Sequence, residues 1–162
     1  MKKLISIVMV LCLLCTAAAA LADAVEEKIP TLLELPELKT LNPDAVISES
    51  EYEGEWIIKY GYIGEDPATP EQLAERGLMI RPLYISEGKL IDKITDENGE
   101  IKENAIAYEF EEDIGELLAT AEDGQIEYII DVLEDGNLML SIVIFGEAEP
   151  VCNSLYMVHP EA

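Results

Sequence analysis

The chain has 162 residues and carries 34 Asp and Glu against 10 Lys and Arg, for a formal charge of −24. This length predicts one domain with at most a short extension. So acidic a surface repels phosphate backbones and anionic bilayers, which argues against sequence-independent nucleic-acid binding and against membrane-surface binding.

Residues 1–22 have the pattern of a secretory signal peptide. Lys2 and Lys3 form a basic start, an apolar run follows, and Ala20-Leu21-Ala22 is a small-residue cleavage site. The apolar run is shorter than the ~20 residues that a membrane-spanning helix needs. We therefore predict cleavage after Ala22 and an exported, extracellular protein without a membrane span.

A lipoprotein anchor at Cys15 is the alternative reading of this segment. It is disfavoured because Leu14, rather than a small residue, precedes the cysteine. After cleavage, Cys152 would be the only cysteine left, so neither an intramolecular disulfide nor a multi-cysteine metal site is possible. We expect Cys152 to be a half-buried apolar residue in a strand.

Residues 23–53 form an acidic arm punctuated by Pro30, Pro36 and Pro43. Its leucines recur at spacings too irregular for a long amphipathic helix: Leu32, Leu33, Leu35, Leu38 and Leu41. We expect an extended segment with about one helical turn that packs partly on the main body. A disordered linker is the alternative, favoured by the acidic run Glu49, Glu51, Glu53 and Glu55.

From Gly54 onward, period-two patterns predict strands. The first begins at Gly54-Glu55-Trp56 and includes Ile58, Tyr60 and Tyr62. The others are Leu78–Ser86, Lys89–Ile94, Asn104–Glu111, Gly115–Ala121, Gln125–Leu133, Asn137–Phe145 and Val151–His159. Hairpin signals separate several of them: Glu87-Gly88, Asn98-Gly99, Asp123-Gly124 and Asp135-Gly136. Neighbouring strands should therefore pair antiparallel. The exception is 64–77, where residues 70–76 predict a short helix with proline in its first turn.

Eight antiparallel strands in sequence order predict an all-β, up-and-down barrel over residues 54–162. An open meander would leave two unpaired edges, whereas closure removes them. Eight strands enclose room for their own side chains or for one small ligand. A two-sheet sandwich is the main competitor, although it usually needs longer crossing connections. We expect a monomer.

Alternation assigns side chains to faces. We predict that Trp56, Ile58, Tyr60 and Tyr62 share one face of the first strand. Three further sets should each share a face: first Ile106, Tyr108 and Phe110; then Ile126, Tyr128, Ile130 and Val132; then Leu138, Leu140, Ile142 and Ile144.

Gly54-Glu55-Trp56, at the start of the first strand, resembles the first sequence motif of the lipocalins and related calycin barrels. The resemblance covers residues 54–159 and is nearest to compact lipocalin-like domains of secreted bacterial proteins. It implies that Gly54 and Trp56 close the barrel floor and that leucines of the arm cover the tryptophan. The family's arginine that packs across the tryptophan has no counterpart, since Val158-His159-Pro160 stands there, and no C-terminal helix follows.

The inventory of reactive side chains argues against catalysis. His159 is the only histidine, and we expect it to be a terminal residue on the barrel rim, so neither a catalytic triad nor a tetrahedral zinc site is expected. A carboxylate-dependent hydrolase would need a protonated acid beside a charged one, and Glu109 and Asp131 are the first candidates. Residues 96–100 lack EF-hand spacing, because Ala107 occupies the twelfth position, and are interpreted as a hairpin loop.

We therefore predict a non-enzymatic protein, without metal or cofactor, that binds a small apolar or amphipathic molecule inside the barrel. The candidate ligand-binding residues are aromatic and recur on different strands: Tyr60, Tyr62, Tyr84, Tyr108, Phe110, Tyr128 and Tyr156. A core filled by these side chains is the alternative to a cavity. The alternative function is a structural or interaction module whose acidic surface binds a cationic partner or cell-wall component.

Overall fold

Strands make up about half of the residues that the computed structural model describes, which are 28–78, 80–95, 98–146 and 149–160. The strands are β1 (Gly54–Ile63), β2 (Asp66–Ala68), β3 (Leu83–Ser86), β4 (Lys89–Thr95), β5 (Ile101–Glu111), β6 (Glu116–Thr120), β7 (Ile126–Val132), β8 (Leu138–Ile144) and β9 (Val151–Val158). One α-helix, α1 (Pro70–Glu75), lies between β2 and β3. The predicted signal peptide with its cleavage site, the first residues of the arm, and Asp96 and Glu97 of the acidic turn lie outside the described residues.

The barrel closes through β1, which pairs with strands on both of its sides. Residues 54–56 pair with β3, and residues 57–63 pair with β9. In the same way, β5 pairs with β4 through 101–107 and with β6 through 108–111. The predicted closed, eight-stranded antiparallel barrel is confirmed, with its short helix between the first and second barrel strands. A sandwich with open edges is not what forms.

One predicted strand is too long, and one strand was not predicted. The predicted strand Leu78–Ser86 begins only at Leu83, because Pro82 has no N–H to donate to a neighbouring strand. β2 is a three-residue strand that pairs with the end of β1 and takes no part in closing the barrel. The other predicted strands differ from the observed bounds by up to three residues, the largest difference being the earlier start of β5.

Helix α1 begins where the sequence provides an N-cap and a proline. The Thr69 hydroxyl accepts from the Gln72 backbone N–H at 3.4 Å, and the Gln72 side chain accepts from the Thr69 N–H at 2.9 Å. Pro70 occupies the first turn, where its missing N–H costs nothing. The helix buries Leu73 completely against the barrel core. Within the described ranges, no helix has the length and apolarity that a bilayer crossing requires.

The inner face of the barrel holds a continuous apolar core. Its fully buried members include Trp56, Leu117, Ile130, Leu138 and Leu155. Three of the predicted shared faces, on β5, β7 and β8, are confirmed, because their residues pack in this core or line the space next to it. At ~25 cal/mol per Å² of buried apolar area, such a core is the main source of stability for the described residues, whose one cysteine, Cys152, is free.

The predicted shared face of β1 is wrong beyond Ile58. The pairing of β1 with β9 shifts between Ile58 and Tyr60, which marks a β-bulge. The extra residue inverts the alternation, so Trp56, Ile58 and Ile63 contact the inner core while Tyr60 and Tyr62 join a separate outer cluster. A one-residue slip moves every later side chain of a strand to the opposite face.

The outer cluster is covered by part of the N-terminal arm. Leu38 forms a β-bridge with Leu133, and the Glu134 N–H donates to the Glu37 carbonyl at 3.0 Å. Leu35 and Leu38 pack against the outer cluster, which consists of Tyr62, Leu133, Met139 and Tyr156 with Tyr60 and Val158 beside them. The arm folds as short 3₁₀ turns at Leu32–Glu34, Lys39–Leu41 and Glu49–Glu51. Its packing leucines thus lie on the outside of the barrel rather than over Trp56, contrary to the expectation from the lipocalin motif.

Candidate functional site

A cavity of about 200 Å³ opens into the inner face of the barrel. Its wall is mainly apolar and comes from the β3–β5 side and the β7–β8 side: Gly77, Leu78, Leu83, Leu90, Asp92, Asn104, Ile106, Ile126, Tyr128, Leu140, Ile142 and Ile144. A cavity of ~150 Å³ with apolar walls holds a benzene molecule, so this one has room for a ligand slightly larger than that.

The end of the barrel near Trp56 is filled. Trp56 is fully buried and donates its indole N–H to the Tyr52 carbonyl at 2.8 Å. Tyr52, the last part of the arm, is also fully buried, and its hydroxyl donates to the Gly115 carbonyl at 2.6 Å. Its ring centroid lies 5.9 Å from that of Phe110. The segment that precedes β1 therefore closes this end from inside the core.

The opposite end is open. Antiparallel partners point to the same face of a sheet, so Val151, which pairs with Ile144, faces inward. Ile94, two residues beyond Asp92 on β4, faces inward too. These inward side chains remain exposed, Ile94 and Ile144 at 36% and Val151 at 54%. The inner face, which is apolar here except for Lys102 opposite Ile94 on β5, thus continues to a solvent-facing mouth, and we call this space from Leu90 to Ile144 the barrel cavity.

Tyr128 is the one predicted ligand-binding residue that lines the barrel cavity. Burial raises the pKa of its phenol first, and the carboxylates of Asp123 and Asp92 raise it further. The hydroxyl therefore stays protonated at neutral pH and can donate a hydrogen bond to a ligand.

Tyr108 and Phe110 face inward as predicted, but they belong to the filled end. Both pack in the apolar core, and the Tyr108 hydroxyl donates to the Glu49 carboxylate of the arm at 2.9 Å. Burial, followed by this hydrogen bond, raises the pKa of Tyr108 to about 12. These two side chains hold the arm and the barrel together.

Tyr60, Tyr62 and Tyr156 meet on the outer face instead of inside the barrel. The rings of Tyr60 and Tyr156 stack with centroids 4.7 Å apart, and Tyr62 meets Tyr60 edge-on at 6.2 Å. The Tyr62 hydroxyl donates to the Pro30 carbonyl at 2.9 Å, and burial raises the pKa of Tyr62 to about 12. Tyr60 and Tyr156 also border a wide outer groove with Pro67 and Pro70. The prediction that these three tyrosines converge inside the barrel is wrong. The bulge in β1 turns Tyr60 and Tyr62 outward, and Tyr156, which pairs with Tyr60 on β9, points outward with them.

Tyr84 also lies outside the barrel. Its neighbours Leu83 and Ile85 are in the core, so Tyr84 points outward, where its hydroxyl donates to the Glu55 carboxylate at 3.0 Å. The Lys93 ammonium lies 4.4 Å from the centre of the Tyr84 ring. The prediction that Tyr84 faces a ligand inside the barrel is therefore wrong, because Tyr84 lies on the outer surface of β3.

Gly54 and Trp56 occupy the closed end together with His159. The His159 ring stacks on Trp56 with centroids 3.7 Å apart, and its Nδ1 lies 3.2 Å from the Glu55 carbonyl oxygen. A Cβ on Gly54 would stand 3.2 Å from this imidazole, and the glycine has φ of 134°, which side chains rarely adopt. His159 therefore covers one face of Trp56.

The two carboxylates considered for hydrolysis do not share a site. Glu109 is exposed, whereas Asp131 is buried on the outward side of β7. Burial, followed by the charge of Glu116, raises the pKa of Asp131 to about 6. Neither residue lines the barrel cavity.

Two further sequence expectations concern Cys152 and the metal sites. Cys152 lies on β9 as predicted but is exposed rather than half-buried. Among the described residues, the His, Cys, Asp and Glu side chains form no group that could hold a metal ion.

The cavity residue that the sequence reading missed is Asp92. It is 5% exposed, and its Oδ2 atom lies 3.3 Å from the Arg81 guanidinium. The sequence contains a signal for this placement, since Leu90, Asp92 and Ile94 alternate with Ile91 and Lys93 and so share the inward face.

Comparison with models of known protein families gives no match, and comparison with curated proteins gives none either.

Proposed function

We propose that this is an exported, non-enzymatic, lipocalin-like protein that holds a small apolar or amphipathic molecule in the barrel cavity. The observation that supports it is a barrel filled at one end by Trp56 and Tyr52 and open to solvent at the other. Concave, mostly apolar sites with a few polar groups are typical of small-molecule binding. The Gly54-Glu55-Trp56 motif at the closed end supports the likeness to lipocalins.

The exposed apolar side chains at the mouth of the barrel cavity support the same proposal. Ile94, Ile144 and Val151 would be expected to lie under a neighbouring element in a barrel that is only a scaffold. A ligand whose apolar part extends from the cavity would cover these side chains. Removing their apolar surface from water would favour binding by ~25 cal/mol per Å².

Uptake of the uncharged dye N-phenyl-1-naphthylamine by the mature protein tests this proposal. We expect saturable fluorescence enhancement with the naphthyl group of the dye in the cavity and its phenyl group in the open mouth, because a cavity of about 200 Å³ does not hold the whole dye. Short apolar molecules should displace the dye, and sterols should not. Ile126→Trp should abolish uptake, since Ile126 lines the cavity on β7. Ile129→Trp is the matched control, because Ile129 lies on the outward face of the same strand and should leave uptake intact. Equal uptake by both variants would place the dye elsewhere and reject the proposal.

Export is part of the proposal and has its own test. Residues 1–22 support it by their basic start, apolar run and small-residue end. Expression of the full chain in a bacterial host should yield a secreted form whose N-terminal residue, found by Edman sequencing, is Asp23. An intact Met1 on soluble protein retained in the cytoplasm would contradict export.

A second candidate is an interaction module that binds a cationic partner through its acidic surface. The formal charge of −24 favours it. Binding to a polycation such as polylysine would then weaken steeply between about 0.01 and 0.5 M salt, and Ile126→Trp would leave it unchanged. Binding that is insensitive to salt would reject this alternative.

A further inference from the structure

Asp92 places a buried carboxylate in the wall of an otherwise apolar cavity. The residue lies on β4 between Leu90 and Ile94, and its side chain is almost completely shielded from solvent. It lines the cavity together with Asn104, which is its partner on β5, and with Tyr128 across the barrel.

Only one of the two carboxylate oxygens is paired. Oδ2 lies 3.3 Å from the Arg81 guanidinium, whereas Oδ1 has no hydrogen-bond partner among the residues that the structure describes. A buried acceptor left without a donor costs ~1–3 kcal/mol, and more when it is charged. Buried polar atoms of folded proteins usually have a partner, so the unpaired oxygen of a residue that lines the barrel cavity points to a hydrogen-bond donor inside that cavity.

Arg81 offsets the charge of the Asp92 carboxylate but leaves its Oδ1 atom without a hydrogen-bond donor among the described residues. The Arg81 side chain is 42% exposed and extends from the loop before β3, and its guanidinium offsets the negative charge of Asp92. Because Arg81 compensates Asp92, the ligand needs no full positive charge to pair with Oδ1. It needs an N–H or O–H donor, and it must not bring a second negative charge.

Resting on the proposed function, we infer that the ligand of the barrel cavity ends in a hydrogen-bond-donating, non-anionic group that pairs with Asp92 while its apolar part lies against Leu90, Ile106 and Ile142. Alkyl amines and alcohols belong to this class, and carboxylates such as fatty-acid anions do not. Tyr128, protonated at neutral pH, provides a second polar contact on the facing side of the cavity.

A matched series of eight-carbon probes tests the inference by displacement of N-phenyl-1-naphthylamine at pH 7. We expect octylamine and octanol to displace the dye at concentrations at least about tenfold lower than octanoate does, since a hydrogen bond to a charged group is worth ~1.5–3 kcal/mol. Octyltrimethylammonium carries the charge of octylamine without an N–H donor, so it should be about tenfold weaker than octylamine.

Two variants separate the role of Asp92 from that of overall charge. Asp92→Asn should weaken octylamine about tenfold and reduce its advantage over octanoate, because the charged acceptor is lost. Glu127→Gln removes the same charge from the other face of β7, next to Tyr128, and should leave the ranking of the probes unchanged. The comparison of probes on the unaltered protein keeps the test decisive if Asp92→Asn fails to fold.

The outcomes distinguish the inference from the function on which it rests. If the dye binds but octanoate is as strong as octylamine, or Asp92→Asn leaves the ranking unchanged, the role of Asp92 is rejected and ligand binding stands. If octyltrimethylammonium equals octylamine, general charge attraction explains the ranking, and the inference is rejected. If neither the dye nor octanol binds, the proposed function fails and the inference falls with it.

Discussion

The burial of the Asp131 carboxylate destabilises the fold at neutral pH. It is 7% exposed, its Oδ1 atom has no partner among the described residues, and Glu116 adds a like charge nearby. These surroundings raise the pKa of Asp131 from 3.8 to about 6. The native state therefore binds a proton at a pH where the unfolded chain has released it, so stability falls as pH rises from about 4 to about 6.

Asp131→Asn should remove this dependence. At pH 7.5 we expect the variant to be more stable than the unaltered protein by up to ~3 kcal/mol, the free energy that corresponds to such a raised pKa. At pH 4 the two should be nearly equal, since Asp131 is then protonated in the native state. Thermal unfolding followed by circular dichroism across this pH range measures the difference. Parallel pH profiles for the two proteins would contradict the assignment.

Tyr52 joins the arm to the barrel through one hydroxyl group. The hydroxyl donates to the Gly115 carbonyl at 2.6 Å in a fully buried place. Tyr52→Phe would leave that carbonyl without a donor, and we expect a loss of ~1–3 kcal/mol in the free energy of unfolding.

Urea unfolding followed by the fluorescence of Trp56 measures this loss. Tyr84→Phe serves as the control, because its hydroxyl donates to Glu55 on the outer surface, where water replaces the lost bond. A Tyr52→Phe variant as stable as Tyr84→Phe would show that the buried hydrogen bond contributes little.

β1 is the element on which both the closure of the barrel and the placement of its side chains depend. Its inward residue Gly61 sits where β9 and α1 come closest. A Cβ at this position would lie 2.6 Å from the Ser154 carbonyl oxygen, 2.8 Å from Leu155 Cδ2 and 3.0 Å from Leu73 Cδ1. The carbonyl belongs to the paired strand and cannot move alone, so only glycine fits without separating β1 from β9.

Gly61→Ala should therefore lower stability by ~1–3 kcal/mol, in the range typical of overpacked cores. Gly146→Ala is the matched control, because no atom lies within 4 Å of its added Cβ and its φ is not positive. Melting temperatures of the two variants give the comparison. An equal, small effect of both substitutions would mean that β9 and α1 yield easily at this contact.

Sequence periodicity predicted those elements whose alternation is uninterrupted. The inward faces of β7 and β8 follow from Ile130 and Leu140, because no residue is inserted within either strand. Period two carries no information on a bulge, so Tyr60 and Tyr62 were placed inside the barrel although they pack outside it. In β3, strand propensity extended the prediction across Pro82, where the ladder cannot form.

The site was harder to predict than the fold because it depends on tertiary placement. Tyr128 was identified from its phase, and its strand keeps that phase. Asp92 shares the inward face of β4 with Leu90. Charged residues in strands are usually solvated, so the burial of Asp92 is seen only in the packed barrel. Likewise, the stacking of His159 on Trp56 joins residues from the two ends of the barrel sequence, which no local pattern records.

The whole molecule carries a large excess of negative charge, and folding brings these charges closer together than they are in the unfolded chain. The sequence has 34 acidic against 10 basic side chains, and self-repulsion of this kind destabilises the folded state relative to the expanded chain. Added salt screens it, since the screening length falls from about 30 Å at 0.01 M to about 3 Å at 1 M.

We expect the melting temperature at pH 7 to rise when sodium chloride is increased from about 0.01 to about 0.5 M. Sucrose, which stabilises proteins by exclusion from their surface and screens no charge, is the control. A melting temperature independent of sodium chloride would show that the carboxylates lie too far apart in the native state to repel one another appreciably.

The seam between β1 and β9 sets a condition on the order of folding. It joins Ile57 to Val158 and Ile63 to Asn153, so this part of β1 finds its β9 partners only when the last strand has been synthesised. Pairings so distant along the chain form slowly. During translation the early hairpins are therefore held in an incomplete sheet with an unpaired margin, and we expect the barrel to become resistant to proteases only after β9 has left the ribosome.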